Sequence, residues 1–162
     1  MNVPALSCLV VDDEPLAAER LAGLIAAMPD CRVAGIAGNA GEAYALIGTL
    51  RPDLVLLDIT MPGESGLELA QRLQAIAHPP LVVFCTAYDA HALKAFEAQA
   101  IDYLLKPVRA ERLADSIERA RRLKAALAVG ADNSSAFAAW PTESTGCPIR
   151  KRGNRRAAES TR

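Results

Sequence analysis

Five polar residues stand where apolar runs end. Asp12 and Asp13 close Leu9-Val10-Val11, and Asp58 closes Leu54-Val55-Leu56-Leu57. Thr86 closes Leu81-Val82-Val83-Phe84-Cys85, and Lys106 closes Tyr103-Leu104-Leu105. If these runs are parallel strands, their carboxyl ends share one sheet edge, where open α/β folds bind ligands. Three close carboxylates repel one another and raise the free energy of ionising all of them. A hard divalent cation relieves that repulsion, and Mg²⁺ suits one or two carboxylates together with water and a phosphate oxygen. A lysine supplies a compact positive charge for phosphate, and a threonine hydroxyl can donate to a phosphate oxygen. With an aspartate as nucleophile, these are the parts of a phosphoryl-transfer site. Each residue alone also has an ordinary role: Asp12 or Asp13 beside a helix dipole, Asp58 in a solvated turn, Thr86 as a cap, Lys106 as a surface lysine before a turn proline. Their recurrence at four strand ends is what points to a site.

The elements that would position them alternate regularly. Apolar runs at 6–11, 32–37, 54–58, 81–86 and 102–105 read as strands. The run at 54–57 is apolar at every position, as in a strand buried on both faces. Helices are expected between and after the strands. Pro15 opens the first, with a stripe of Ala17, Leu21, Leu24 and Met28. Asn39 or Gly41 begins the second, with Ala43, Leu46, Ile47 and Leu50 as its stripe. Ser65 and Glu68 form a capping box for the third, striped by Leu69, Leu73 and Ile76. A short fourth spans about 90–98, with Leu93 and Phe96 on its apolar side. The last spans about 109–128, with Leu113, Ile117, Ala120 and Leu127 on one side. Five strand-helix units imply an α/β fold, a doubly wound five-stranded parallel sheet with helices on both faces.

Hydrophobic residues make up 51% of the 162, enough for a sizeable core, but aromatics are only 4%, so Leu, Val, Ile and Ala must build it. The net charge of -1 is uneven: beyond Ala128 there are six basic residues against three acidic, and before it twelve against sixteen. A mildly acidic body argues against the body itself being a nucleic-acid surface. No segment has the apolar length to span a membrane and the start lacks a signal-peptide pattern, so a cytoplasmic protein is expected. Cys8, Cys31, Cys85 and Cys147 show no metal-type spacing and read as reduced, small apolar residues. From Val129 the apolar period is lost, and Arg150-Lys151-Arg152 with Arg155-Arg156 forms a basic run. Residues 129–162 are expected to be a disordered basic tail or linker remnant after a domain at 1–128.

The motifs Val10-Val11-Asp12-Asp13-Glu14, Leu57-Asp58 with Met61-Pro62-Gly63, Thr86-Ala87, and Tyr103 three before Lys106-Pro107 resemble the receiver domain of bacterial two-component response regulators. The likeness spans residues 6–127. Phe84-Cys85-Thr86-Ala87-Tyr88 with Ala95-Phe96 is similar to the LytTR-type (LytR/AlgR) subfamily in particular. The resemblance implies a flavodoxin-like receiver fold and a switch protein rather than a turnover enzyme. It implies Asp58 as phosphoacceptor, served by a sensor histidine kinase. It implies Mg²⁺ held by Asp13 and Asp58 directly, by Asp12 through water, and by the backbone carbonyl of Thr60. Lys106 would hold the phosphoryl oxygens, with a cis bond to Pro107. Thr86 and Tyr103 would be the switch pair, altering the surface of the fourth helix, fifth strand and fifth helix, where a homodimer could form.

Full-length members carry a DNA-binding output domain of roughly a hundred residues, more than the tail supplies. DNA contact is therefore expected only if an output domain or the basic tail provides it. A stand-alone or degenerate receiver serving as a docking module is the alternative, and a truncated or frameshifted regulator is a further expectation. A haloacid dehalogenase-type phosphatase would want an acid two residues after Asp58, where Thr60 stands. A nucleotide binder is disfavoured because Gly35, Gly38 and Gly41 follow a G-x-x-G-x-x-G spacing and no P-loop lysine pattern is present.

Overall fold

The computed structural model describes residues 4–87 and 100–129. The expected helix at 90–98 and the tail from 130 onward lie outside the described residues, and with them Tyr88 and Cys147. The elements run β1 (Leu6–Val11), α1 (Pro15–Ala26), β2 (Cys31–Ala37), α2 (Ala40–Leu50), β3 (Leu54–Leu57), α3 (Gly66–Leu73), β4 (Leu81–Thr86), β5 (Asp102–Leu105) and α4 (Ala110–Val129). Met1–Arg121 form one compact unit; a second, Arg122–Arg162, is described only over the last turns of α4.

All pairings are parallel, in the order β2-β1-β3-β4-β5. Consecutive strands of a parallel sheet need crossover helices, and the order reverses between β1 and β3, so a crevice opens at their carboxyl ends. β1 and β3 are buried at every residue. Alternation sends Leu9, Val11, Val55, Leu57 and Phe84 into one cluster with Ala43 and Ile47 of α2 and Leu69, Ala70 and Leu73 of α3. The interleaved set, including Val10, Leu56 and Cys85, is equally buried, so helices cover both faces. β2 is an edge strand. Its register against β1 slips at Cys8/Leu9, leaving Ala34 as the extra residue of a bulge that roughens the free edge.

Local rules place the helix starts. Pro15 occupies the first turn of α1. Asn39 caps α2 by accepting from the Glu42 amide at 2.8 Å. Ser65 caps α3 in a full box: its hydroxyl accepts from the Glu68 amide at 3.2 Å, while its own amide donates to Glu68 Oε1 at 3.0 Å.

The apolar stripes differ from expectation in detail. α1 buries Ala18, Leu21 and Ile25, leaving Ala17, Leu24 and Met28 half-buried. Leu50 of α2 and Leu127 of α4 are exposed, and Ile76 lies beyond the end of α3, half-buried. In α1 nearly every side of the helix carries an Ala or Leu, so periodicity does not single out a face and packing against the sheet does. Cys8 and Cys85 are buried and Cys31 half-buried, all as free thiols, and burial pushes Cys8 up to about 12, far from a reactive thiolate.

Candidate phosphoryl-transfer site

The switch-point crevice is lined by the residues that end β1 and β3. The Asp12 amide donates to Ala37 O at 3.0 Å and the Asp58 amide to Val11 O at 2.9 Å, so both backbones are extensions of the ladder and both carboxylates start from fixed positions. Each is then oriented by a short turn. Asp12 Oδ1 accepts from the Glu14 amide at 2.9 Å, and Asp58 Oδ1 accepts from the Thr60 amide at 3.2 Å. Asp12 and Asp58 are 4% and 6% exposed, whereas Asp13 faces solvent. One oxygen from each of Asp12, Asp13 and Asp58 lies within 4.8 Å of the others.

Lys106 joins them from the end of β5. Its Nζ donates to Asp12 Oδ2 at 2.6 Å and to Asp58 Oδ2 at 3.4 Å, ion pairs across 94 and 48 residues of chain. The Lys106–Pro107 peptide is cis. The Lys106 amide donates to Thr86 O at 2.8 Å, tying the ends of β4 and β5 together. Beside the site, Asp12 and Lys106 also line a groove of about 290 Å³ with Leu21 and Leu24 of α1.

Burial is the main force on the Asp58 carboxyl and lifts it from an ordinary 3.8 to about 6. Lys106 pulls against that rise, Asp12 adds to it by repulsion, and the Thr60 amide opposes it. Burial disfavours the Lys106 ammonium, yet the Asp12 hydrogen bond and the charges of Asp58 and Asp12 outweigh it, and its pKa is raised. One ammonium thus serves two buried carboxylates with a third close by. An all-oxygen donor set with surplus negative charge fits a hard divalent cation such as Mg²⁺.

Thr86 is fully buried at the end of β4. Tyr103 is half-buried and packs against the core cluster, one residue after Asp102. Thr60 is exposed, with its amide engaged by Asp58. The structure therefore brings together Asp12, Asp13, Asp58 and Lys106, sets Thr86 against the backbone of Lys106, and places Tyr103 farther along β5.

Two features escaped the sequence reading. A Cβ at Gly66 would lie 2.1 Å from Asp58 O, while the Gly66 amide donates to Ile59 O at 2.9 Å. Only glycine lets the first turn of α3 press so closely on the Asp58 backbone. A glycine just after a Ser cap, where capping has no use for it, was the available signal. The second is a clasp on β5. Asp102 accepts Arg112 through two prongs, Nη1 to Oδ2 at 3.0 Å and Nη2 to Oδ1 at 2.9 Å, and accepts Ser116 Oγ at 2.5 Å. Burial would raise the Asp102 carboxyl, but the bonds from Arg112 and Ser116 more than offset it and the pKa is lowered.

Known proteins resemble this chain in sequence and in fold. Residues 8–118 match the family described as response regulator receiver domain. The chain is 52% identical over 118 residues to the positive alginate biosynthesis regulatory protein of Pseudomonas aeruginosa, covering 72% of this chain and 48% of that protein. It is 40% identical over 131 residues to the sensory transduction protein LytT of Bacillus subtilis, covering 81% and 54%. Among solved structures it is similar to the response regulatory domain of mrkE from Klebsiella pneumoniae, with 32% identity and a TM-score of 0.66 over 72% of this chain and 96% of that one. It is also similar to the response regulator domain of Thermotoga maritima CheB, with 26% identity and a TM-score of 0.64 over 73% and 95%. The chain spans about half the length of the curated relatives it matches.

Proposed function

The chain belongs to the receiver family of two-component response regulators, and from that membership we propose that Asp58 is its phosphoacceptor, loaded in the cytoplasm by the phosphohistidine of a sensor histidine kinase. The observation that carries this is the bridge of Lys106 between Asp12 and Asp58, with three carboxylate oxygens within 4.8 Å at the switch-point edge.

The residues divide the work by position. An Asp58 carboxylate oxygen attacks phosphorus, the P–N bond to the donor imidazole breaks, and the imidazole leaves with the bonding pair. The Thr60 amide holds Oδ1, which leaves Oδ2, the oxygen facing Lys106, to attack. Asp13 and Asp58, the Thr60 carbonyl, and Asp12 through water would hold Mg²⁺, which when bound supplies charge neutralisation for the phosphoryl oxygens. Lys106 passes from its carboxylate partners to a phosphoryl oxygen as a point charge. The Thr86 hydroxyl donates to another, and Tyr103 turns further into the core behind it. That rearrangement alters the surface around β5 and α4, where two copies can pair. The protein acts as a switch that is loaded and unloaded, not as a turnover enzyme. Control of transcription belongs to whatever output this receiver governs.

The test is intact-protein mass after incubation with a small phosphoramidate donor, with and without Mg²⁺. One Mg²⁺-dependent phosphoryl adduct on wild type and none on Asp58→Asn is expected. An adduct of equal yield on Asp58→Asn contradicts the assignment and turns attention to Asp12 and Asp13.

A further inference from the structure

β5 is a four-residue edge strand tied down at both ends. At its carboxyl end the Lys106 amide donates to Thr86 O at 2.8 Å, so β5 follows any displacement of the Thr86 backbone. At its amino end the Asp102 carboxylate is fixed to α4 by the two prongs of Arg112 and by buried Ser116. Tyr103 lies between the two ties. Both of its peptide groups are gripped by the amino-terminal one: its amide donates to Asp102 Oδ1 at 2.8 Å, and its carbonyl accepts from Arg112 Nη2 at 3.4 Å.

A strand held at one end only can follow a pull as a rigid piece. A strand held at both ends must absorb it between the ties. We propose that the Asp102–Arg112–Ser116 clasp is the fixed anchor that converts movement of Thr86 into rotation of Tyr103, so that the three residues are positioning residues for the switch and have no part in accepting the phosphoryl group. This rests on the reading of Asp58 as acceptor and of Thr86 and Tyr103 as the switch pair. The bidentate geometry matters because two parallel bonds fix the angle of Asp102 as well as its distance, which a single ammonium cannot do. Among the described residues the clasp makes no hydrogen bond or ion pair with Asp12, Asp13, Asp58 or Lys106, so its loss leaves the acceptor in place while loosening the amino end of β5, which the Ile101 amide still ties to Val82 O at 2.8 Å.

The experiment uses the full chain labelled with 3-fluorotyrosine and followed by ¹⁹F NMR, the Tyr103 line being assigned with Tyr103→Phe. Spectra are recorded before and after loading with phosphoramidate and Mg²⁺, and the adduct is counted by intact mass in the same samples. In wild type the adduct forms and the Tyr103 line moves. In Arg112→Ala and in the milder Ser116→Ala the adduct forms at the wild-type rate. The equilibrium between the two Tyr103 positions in the loaded protein then falls by about tenfold for Arg112→Ala. Arg112→Lys keeps the charge without the two-pronged geometry and falls between. Full movement of the Tyr103 line in both Arg112→Ala and Ser116→Ala overturns the inference, as does loss of the adduct in step with the movement, since the clasp would then serve the acceptor site. An adduct on wild type with a motionless Tyr103 overturns the switch pair and this inference while the acceptor stands. No adduct on wild type overturns all three.

Discussion

Asp58→Asn should make the cation-free protein more stable, although it removes one partner of an ion pair. A carboxyl lifted from 3.8 to about 6 disfavours its own ionisation by roughly 3 kcal/mol at neutral pH. An amide of the same shape keeps the acceptor for the Thr60 amide and loses only the longer of the two Lys106 contacts, 3.4 Å against 2.6 Å to Asp12. Allowing for that loss, the expected gain is about 1–2 kcal/mol at pH 7.5 in EDTA. Its pH dependence follows from the direction of the shift. The folded protein holds the Asp58 proton more tightly than the unfolded chain, so protonation contributes stability that is full below pH 3.8 and is lost as pH rises through about 6. The advantage of the variant is therefore absent near pH 4, grows through the interval to pH 6 and is complete above it. Urea unfolding followed by far-UV circular dichroism, at matched pH values in EDTA, measures the difference directly. Adding Mg²⁺ stabilises wild type by binding the folded form and stabilises the variant far less, which narrows or reverses the gap. A variant less stable than wild type at pH 7.5 in EDTA, or a gap that ignores pH, refutes the reasoning.

Lys106→Ala removes the cation that competes for Asp12 and Asp58. It should tighten Mg²⁺ binding about tenfold by titration calorimetry, while slowing adduct formation about 100-fold because the developing phosphoryl charge loses its counter-charge. Gly66→Ala should destabilise by about 2–4 kcal/mol in urea unfolding, since its Cβ would meet Asp58 O at 2.1 Å. Gly23→Ala, on an exposed turn of α1 with nothing within 4 Å, should stabilise by about 0.5–1 kcal/mol.

How far these features could be read from the sequence depends on how local their causes are. The strand ends were legible because each acid or base stops an apolar run, and a parallel sheet gathers such ends by topology alone. The Ser65 box and the Pro15 start were legible because three or four neighbouring residues settle them. The buried face of α1 was legible only at Leu21, since Leu16, Ala17, Ala18, Leu21, Leu24 and Ile25 wrap the helix and the sheet selects Ala18 and Ile25 beside it. Leu16 is left 78% exposed in consequence. Gly66 and the Asp102–Arg112–Ser116 clasp were hidden for a different reason. One depends on a backbone approach between α3 and the end of β3, the other on how α4 lies along β5, and no spacing rule encodes either.

The most direct test of the account is to locate the phosphoryl group chemically. Wild-type protein loaded with phosphoramidate and Mg²⁺ is reduced with borohydride, which converts an aspartyl phosphate to homoserine, and is then mapped by peptide mass spectrometry. Homoserine at position 58 alone is the predicted result. Homoserine at position 12 or 13, or an unmodified aspartate at 58 in protein that carries the adduct, contradicts the central claim.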